Sequence, residues 1–110
     1  MCVNTHIDYK KLDVQQVGLA AEMLKLVSDP TRLKILWALL HGEHAVNELA
    51  EHVDAQPAAV SQHLAKLRIA HLVKVRREGN RMYYLTDNAH ARTLIEEALS
   101  QADHIMKRNK

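Results

Sequence analysis

Apolar residues recur along most of this chain at helical spacing. Val17, Ala20, Ala21, Leu24 and Val27 fall at steps of three and four residues, one stripe on a helix that starts near Asp13. Ser28, Asp29 and Pro30 interrupt the stripe, and an N-cap aspartate followed by proline at the first helical position is a start signal. Leu33, Leu36, Trp37 and Leu40 then mark the apolar side of a second helix that ends near Gly42. A third, short helix is predicted from about Ala45 to Val53, with Val46, Leu49 and Val53 inward. A fourth begins near Pro57 and turns Val60, Leu64 and Leu67 inward. Only Asp54 to Gln56 separate these last two, which is the arrangement of a helix-turn-helix, here placed at about residues 45–70.

The period then changes. In LVKVRREGNRMYYL, alternating β-prone residues flank the turn Glu78-Gly79-Asn80, which predicts strands at about 72–77 and 81–86, a wing spanning 72–86. Helical spacing returns at about 88–107, with Leu94, Ala98, Leu99, Ala102 and Ile105 on one face. Residues 1–12 are polar and aperiodic, a flexible arm before a single domain over 13–110. The fold class is mainly α with a β-hairpin wing.

Composition agrees with packed helices. Apolar residues make up 47% of 110, aromatics only 4%, and there is no Phe, so the core must be built from Leu, Val, Ile and Ala. That length supports one domain. No apolar stretch approaches the ~20 residues of a membrane span, and MCVNTHIDYKK lacks the apolar centre of a signal peptide, so a cytoplasmic protein is expected. The single cysteine, Cys2, permits no internal disulfide and reads as a solvated thiol.

Charge changes the picture more than composition does. The net charge is only +2, yet from Ala55 to Leu85 the cations Lys66, Arg68, Lys74, Arg76, Arg77 and Arg81 face a single acid, Glu78. Such a block is a phosphate-binding footprint, because each cation that neutralises a phosphate releases condensed counterions. On the fourth helix, the positions left over from the core are Ser61, Gln62, His63 and Lys66. Gln and His can hydrogen-bond base edges in the major groove, Ser reaches bases or phosphates, and Lys66 supplies charge near the backbone. With Arg68 and the wing arginines Arg76, Arg77 and Arg81, these residues form the expected DNA-binding set.

VNELAEHV, then AVSQHLAKLRIAHLVKVRREGNRMYYL, with SDPTRLKILWALL before them, closely resembles the ArsR/SmtB family of bacterial metalloregulators over roughly Val17 to His104. The resemblance implies a winged helix-turn-helix homodimer, joined through its terminal helices, that binds an inverted-repeat operator and releases it when an inducer binds. It also implies a place to look for the inducer. The arsenic and cadmium type needs a Cys-x-Cys stretch on the first helix of the helix-turn-helix, where this chain has VNELA, so a thiolate site there is excluded.

The last helix offers His90 and His104. Fourteen residues separate them, about four turns and ~21 Å, so they cannot share an ion within one chain, but they lie within roughly 40° around the helix. Antiparallel pairing of two such helices about a two-fold axis brings His90 opposite His104 of the partner subunit, giving two symmetric sites. Asp87 and Asp103 are the neighbouring carboxylates; Asp87 is equally a candidate N-cap, and Asp103 points away from the histidine face of a straight helix. Glu97 falls near the dyad.

This resembles the terminal-helix sites of the family's zinc, nickel and cobalt sensors. Asn88-Ala89-His90 and Gln101-Ala102-Asp103-His104 replace two ligands of the zinc pattern, and the ADH ending is closer to the actinobacterial nickel and cobalt sensors. Imidazole and carboxylate without thiolate suit Zn, Ni or Co alike. The expected cofactor is therefore a divalent transition metal, Ni²⁺/Co²⁺ or Zn²⁺. His6 is an outside ligand from the arm, and His41, His44, His52 and His71 read as surface or turn residues.

Other classes make distinct demands. A metal-independent winged-helix regulator would share the fold but bind no metal at the interface, and a nucleoid-type architectural protein would show weak sequence preference. An enzyme is not expected: HGEHAV is no HExxH, and no phosphate-cradling loop or paired nucleophile is present.

Overall fold

The computed structural model describes residues 12–109. The expected arm, including Cys2 and His6, falls outside these residues except for Leu12. The elements run α1 (Val14–Val27), α2 (Pro30–Leu40), α3 (Val46–Val53), α4 (Pro57–Ile69), β1 (Val73–Glu78), β2 (Arg81–Thr86) and α5 (Ala89–Arg108). Each matches an element read from the sequence to within two residues at its ends.

Local chemistry sets the boundaries. The Asp13 carboxylate accepts from the Gln15 amide at 2.8 Å to open α1, and Asp29 accepts from the Arg32 amide at 2.9 Å to open α2, with Pro30 in the first turn. Ala45 has no side chain with which to cap α3; instead the Glu48 carboxylate reaches back to its amide at 2.8 Å. Asp54 ends α3 in the left-handed conformation (φ 54°), which turns the chain sharply towards α4. His71 does the same after α4 (φ 60°): its own amide reaches the Arg68 carbonyl, and the Leu72 amide reaches Leu67. This is a Schellman stop with histidine where glycine is usual. At the hairpin tip Gly79 takes φ 62°, the positive value that a two-residue turn requires at its first central position.

The strands pair antiparallel with Val73 opposite Thr86, Arg76 opposite Tyr83 and Glu78 opposite Arg81. A third segment joins them. His44, in the α2–α3 loop, bridges to Tyr84 through both backbone bonds, at 3.1 and 2.8 Å. The wing is thereby sewn to the segment that leads into the helix-turn-helix.

The core draws on α2, α3, α4, β1 and α5, with Ile35 and Leu36 of α2, Leu49 of α3, Val60, Leu64 and Leu67 of α4, Val73 of β1 and Ile95 of α5 all buried. Each such side chain contributes about 1.5–3 kcal/mol of burial. No polar or charged residue among those described is buried.

The apolar stripes of the terminal helices are only partly covered. In α1 only Val27 is buried, while Val17 and Leu24 are about half exposed (45% and 52%). In α5 Ala91 and Ile95 pack inward, but from Glu96 to its end every residue is exposed, including Leu99 and Ile105. Trp37, read as part of the apolar side of α2, is also exposed. The domain is too small to cover all three stripes, and the radius of gyration of 16.1 Å exceeds the ~13 Å of a compact domain near this length. No described helix is long and apolar enough to cross a membrane.

Candidate nucleic-acid interface and terminal-helix histidines

The α4 helix divides cleanly between core and surface. Val60, Leu64 and Leu67 anchor one side, and Ser61, Gln62, Lys66 and Arg68 are exposed on the others. At 100° per residue the exposed Ala58 and Ala65 lie between Ser61 and Gln62, so the centre of the outer face is small and smooth. The sequence reading did not single out these alanines, although their spacing alone places them there.

His63 is different. It is half-buried, and its Nδ1 accepts from Arg32 Nε at 3.0 Å, which leaves the ring proton on Nε2. Arg32 Nη1 also donates to the Leu26 carbonyl at 2.8 Å, so one guanidinium joins the end of α1 and the start of α2 to α4. Asp29 is held below the ordinary carboxylate range first by the Arg32 amide it accepts, and then by the charge of Arg32.

The wing arginines take separate environments. Arg76 donates from Nε and Nη2 to one oxygen of Glu43, at 2.9 and 2.8 Å, and from Nη1 to Glu78 at 2.8 Å. Its guanidinium also sits 4.9 Å from the centre of the Tyr83 ring. Arg81 lies over the same ring at 5.5 Å. Arg77 points to the opposite face of the hairpin, with Nη2 4.0 Å from the sulfur of Met82. The reach to Glu43, 33 positions away, carries no local signal that a sequence reading could use.

On α5 the N-cap is Asn88, not Asp87: Asn88 Oδ1 accepts from the His90 amide at 2.9 Å. Asp87 is corrected to a half-buried residue just outside the helix whose amide donates to the Leu72 carbonyl at 3.0 Å. The reason is register, since the helix starts one residue later than a cap at 87 would need. Asn88 Nδ2 also donates to the His71 carbonyl at 3.3 Å, tying the start of α5 to the end of α4. His90 is exposed on a groove of about 480 Å³ whose lining includes Met23, His71 and Leu94. His104 is exposed near the far end of α5, and Asp103 beside it is paired with Lys107 at 2.9 Å.

A profile described as "Bacterial regulatory protein, arsR family" matches residues 29–75, the stretch from the cap of α2 into β1. The HTH-type transcriptional regulator KmtR of Mycobacterium tuberculosis is 46% identical over 89 residues, covering 81% of this chain and 68% of that protein. The chain belongs to the arsR family of bacterial regulatory proteins.

Other arsR-family relatives extend the likeness. The cadmium resistance transcriptional regulatory protein CadC homolog of Staphylococcus aureus is 35% identical over 106 residues, covering 89% of this chain and 88% of that one. Among solved structures, the homodimeric winged helix-turn-helix DNA-binding domain Mb0332 of Mycobacterium bovis superposes with a TM-score of 0.80 at 27% identity. That match covers 96% of this chain and 95% of the other. The fold of this arsR-family chain is thus a winged helix-turn-helix, and the named relatives are regulators of transcription rather than enzymes.

The groups able to ligate a metal are dispersed over the described side chains. Among them, no three His, Cys, Asp or Glu groups of one chain gather on a point. His90 and His104 are exposed at opposite ends of one helix, and Asp87 and Asp103 do not join either into a set. Among the described residues, then, one copy alone does not gather a ligand set for a divalent metal.

Three further histidines, read from the sequence as surface or turn residues, line a common cavity without converging on one point. His41, His44 and His52 line one cavity of about 750 Å³ together with Trp37 and Leu99. The His44 and His52 rings stand 5.0 Å apart, and His41 Nδ1 lies 2.7 Å from the Trp37 carbonyl. They come from a helix end, a loop and a second helix, so no single period in the sequence links them.

Proposed function

We propose that this arsR-family chain is a homodimeric transcriptional repressor that binds an inverted-repeat operator in double-stranded DNA, in the cytoplasm. In this reading it lets go when a divalent transition metal, Ni²⁺/Co²⁺ or Zn²⁺, binds between its terminal helices. The observation that carries the DNA half is the outer face of α4. It is polar, exposed and braced from behind by the core, with Ser61 and Gln62 flanking Ala58 and Ala65. A side chain as short as alanine lets the helix backbone approach base edges, and its methyl suits the thymine methyl. Ser61 and Gln62 read bases, while Lys66, Arg68, Arg77 and Arg81 neutralise phosphates along the helix and wing. His63 and Arg76 already have protein partners and stand apart from that set.

The dimer half rests on the uncovered apolar faces of α1 and α5. Antiparallel pairing of α5 with its symmetry mate sets His90 opposite His104 of the partner subunit with Ile105 at the edge of that face, and leaves Leu99, about 180° around the helix from His90, for α1 of the partner subunit to cover. The metal, when bound, would supply a crosslink between the two subunits at these imidazoles, with Asp103 and Asp87 as the nearest carboxylates. Asp103 is paired with Lys107 through one oxygen and points away from the histidine face, so it joins only if the end of α5 bends. The start of α5 carries His90 and is bonded through Asn88 to the end of α4, so a change in α5 pairing reaches the DNA-facing helix through one side chain. A coupling of ~1–3 kcal/mol, typical of such linkage, lowers operator affinity about 5- to 150-fold.

The test is a titration of Zn²⁺, Ni²⁺ and Co²⁺ into the protein–operator complex. At least one of them is expected to release the DNA. His90→Ala and His104→Ala should each remove that response while leaving metal-free binding nearly intact. Affinity unchanged by all three metals contradicts the sensing claim and favours the metal-independent regulator.

A further inference from the structure

The basic block of the wing is not uniform. Arg76 uses all three of its nitrogens on two carboxylates, at 2.8–2.9 Å, and lies against the Tyr83 ring. Arg76, Glu43 and Glu78 together carry a net negative charge, so this cluster does not attract a phosphate. Lys74, Arg77 and Arg81 are the wing cations outside it.

Glu43 sits in the α2–α3 loop, next to the residue that pairs with the wing. His44 exchanges both backbone hydrogen bonds with Tyr84, and Tyr84 directly follows the ring on which Arg76 rests. Two adjacent loop residues thus grip the hairpin, one by its backbone and one by its side chain. An acid on the face of a protein that meets DNA repels phosphate. Its presence there makes physical sense when it holds something in place.

We infer that Arg76 is a positioning residue that locks the wing to the helix-turn-helix through Glu43, rather than a phosphate contact. The inference rests on the DNA-binding reading above for its consequence, but the lock itself is a property of the free protein. It fixes where Arg77 and Arg81 stand relative to α4, since hairpin and helix then move as one body. The two roles for Arg76 predict opposite signs for a change at Glu43. If Arg76 meets phosphate, removing the nearby negative charge strengthens binding. If Arg76 is a lock, the same change weakens binding by loosening the wing.

The experiment uses the full chain and a fluorescently labelled random-sequence DNA duplex, with affinity followed by anisotropy as salt is varied. Wild-type affinity should fall steeply with salt, and Arg77→Gln should reduce the slope of log K against log salt by about 0.9, the value for one phosphate. Arg76→Gln and Glu43→Gln should each weaken binding roughly two- to fivefold, the effect of one exposed ion pair, and leave the slope unchanged. The double variant should be no weaker than either single one. Tighter binding by Glu43→Gln, or a slope lowered by about 0.9 in Arg76→Gln, overturns the inference.

Amide hydrogen exchange of the free protein gives a reading that does not depend on DNA. Glu43→Gln should speed exchange at the His44 and Tyr84 amides while α4 stays protected. Unchanged exchange there overturns the lock even if the duplex is never bound. Loss of wild-type DNA binding with faster exchange in Glu43→Gln would instead sink the DNA reading alone.

Discussion

Arg32 does two jobs at one turn. Its amide donates to the Asp29 carboxylate that caps α2, and its guanidinium reaches His63 on α4 and the Leu26 carbonyl on α1. Because the folded chain holds Asp29 below its ordinary value of 3.8, the stabilisation is fully present above that pH and is lost as pH falls through the folded value. Asp29→Ala should therefore cost about 1 kcal/mol at neutral pH, the usual worth of such a cap, and the gap to wild type should narrow as the pH is taken below 3.8. Paired thermal melts at the two pH values check this, and a gap that stays constant would show the cap to be independent of the charge. The cap and the proline after it were legible in the sequence, because both act within three residues. What Arg32 does beyond its own turn was not, since its partners lie on other helices.

At the scale of elements, α4 is the most legible part of the chain and the wing the least. Val60, Leu64 and Leu67 set the orientation of α4 by period alone, and the polar remainder followed. His63 is the exception, because its ring turns sideways to Arg32 instead of outward. Gln62→Ala should cost about 1–3 kcal/mol of operator affinity and relax preference at one base pair, leaving the salt slope as it was. Binding measured against single-base operator variants decides this; a uniform loss across all variants would make Gln62 a backbone contact. For the wing, alternation and the Gly79 turn gave two strands correctly, yet the third segment at His44 was invisible. A one-residue bridge has no period to detect. The cap at Asn88 was misplaced by one residue for a related reason: Asp87 and Asn88 are both good caps, and only the register of the first turn chooses between them.

For the whole molecule, the terminal helices carry the argument. The sequence marked their apolar stripes but could not say what those stripes face, and the fold leaves Val17, Leu24, Leu99 and Ile105 uncovered by their own chain. A surface of that kind at both ends of the fold fits self-association through α1 and α5. In the proposed reading, His90 meets His104 only through that second copy. Successive major grooves would require that pairing to set two α4 helices about one DNA turn apart, ~34 Å.

The most direct measurement is the stoichiometry of the complex between the protein and an operator duplex selected from random sequence, read by sedimentation velocity. Two protomers per duplex are expected. Leu99→Asp should yield a folded monomer whose operator affinity falls by at least 10²-fold, because one half-site is then held alone. One wild-type protomer per duplex, or full affinity in a monomeric Leu99→Asp chain, would contradict the account.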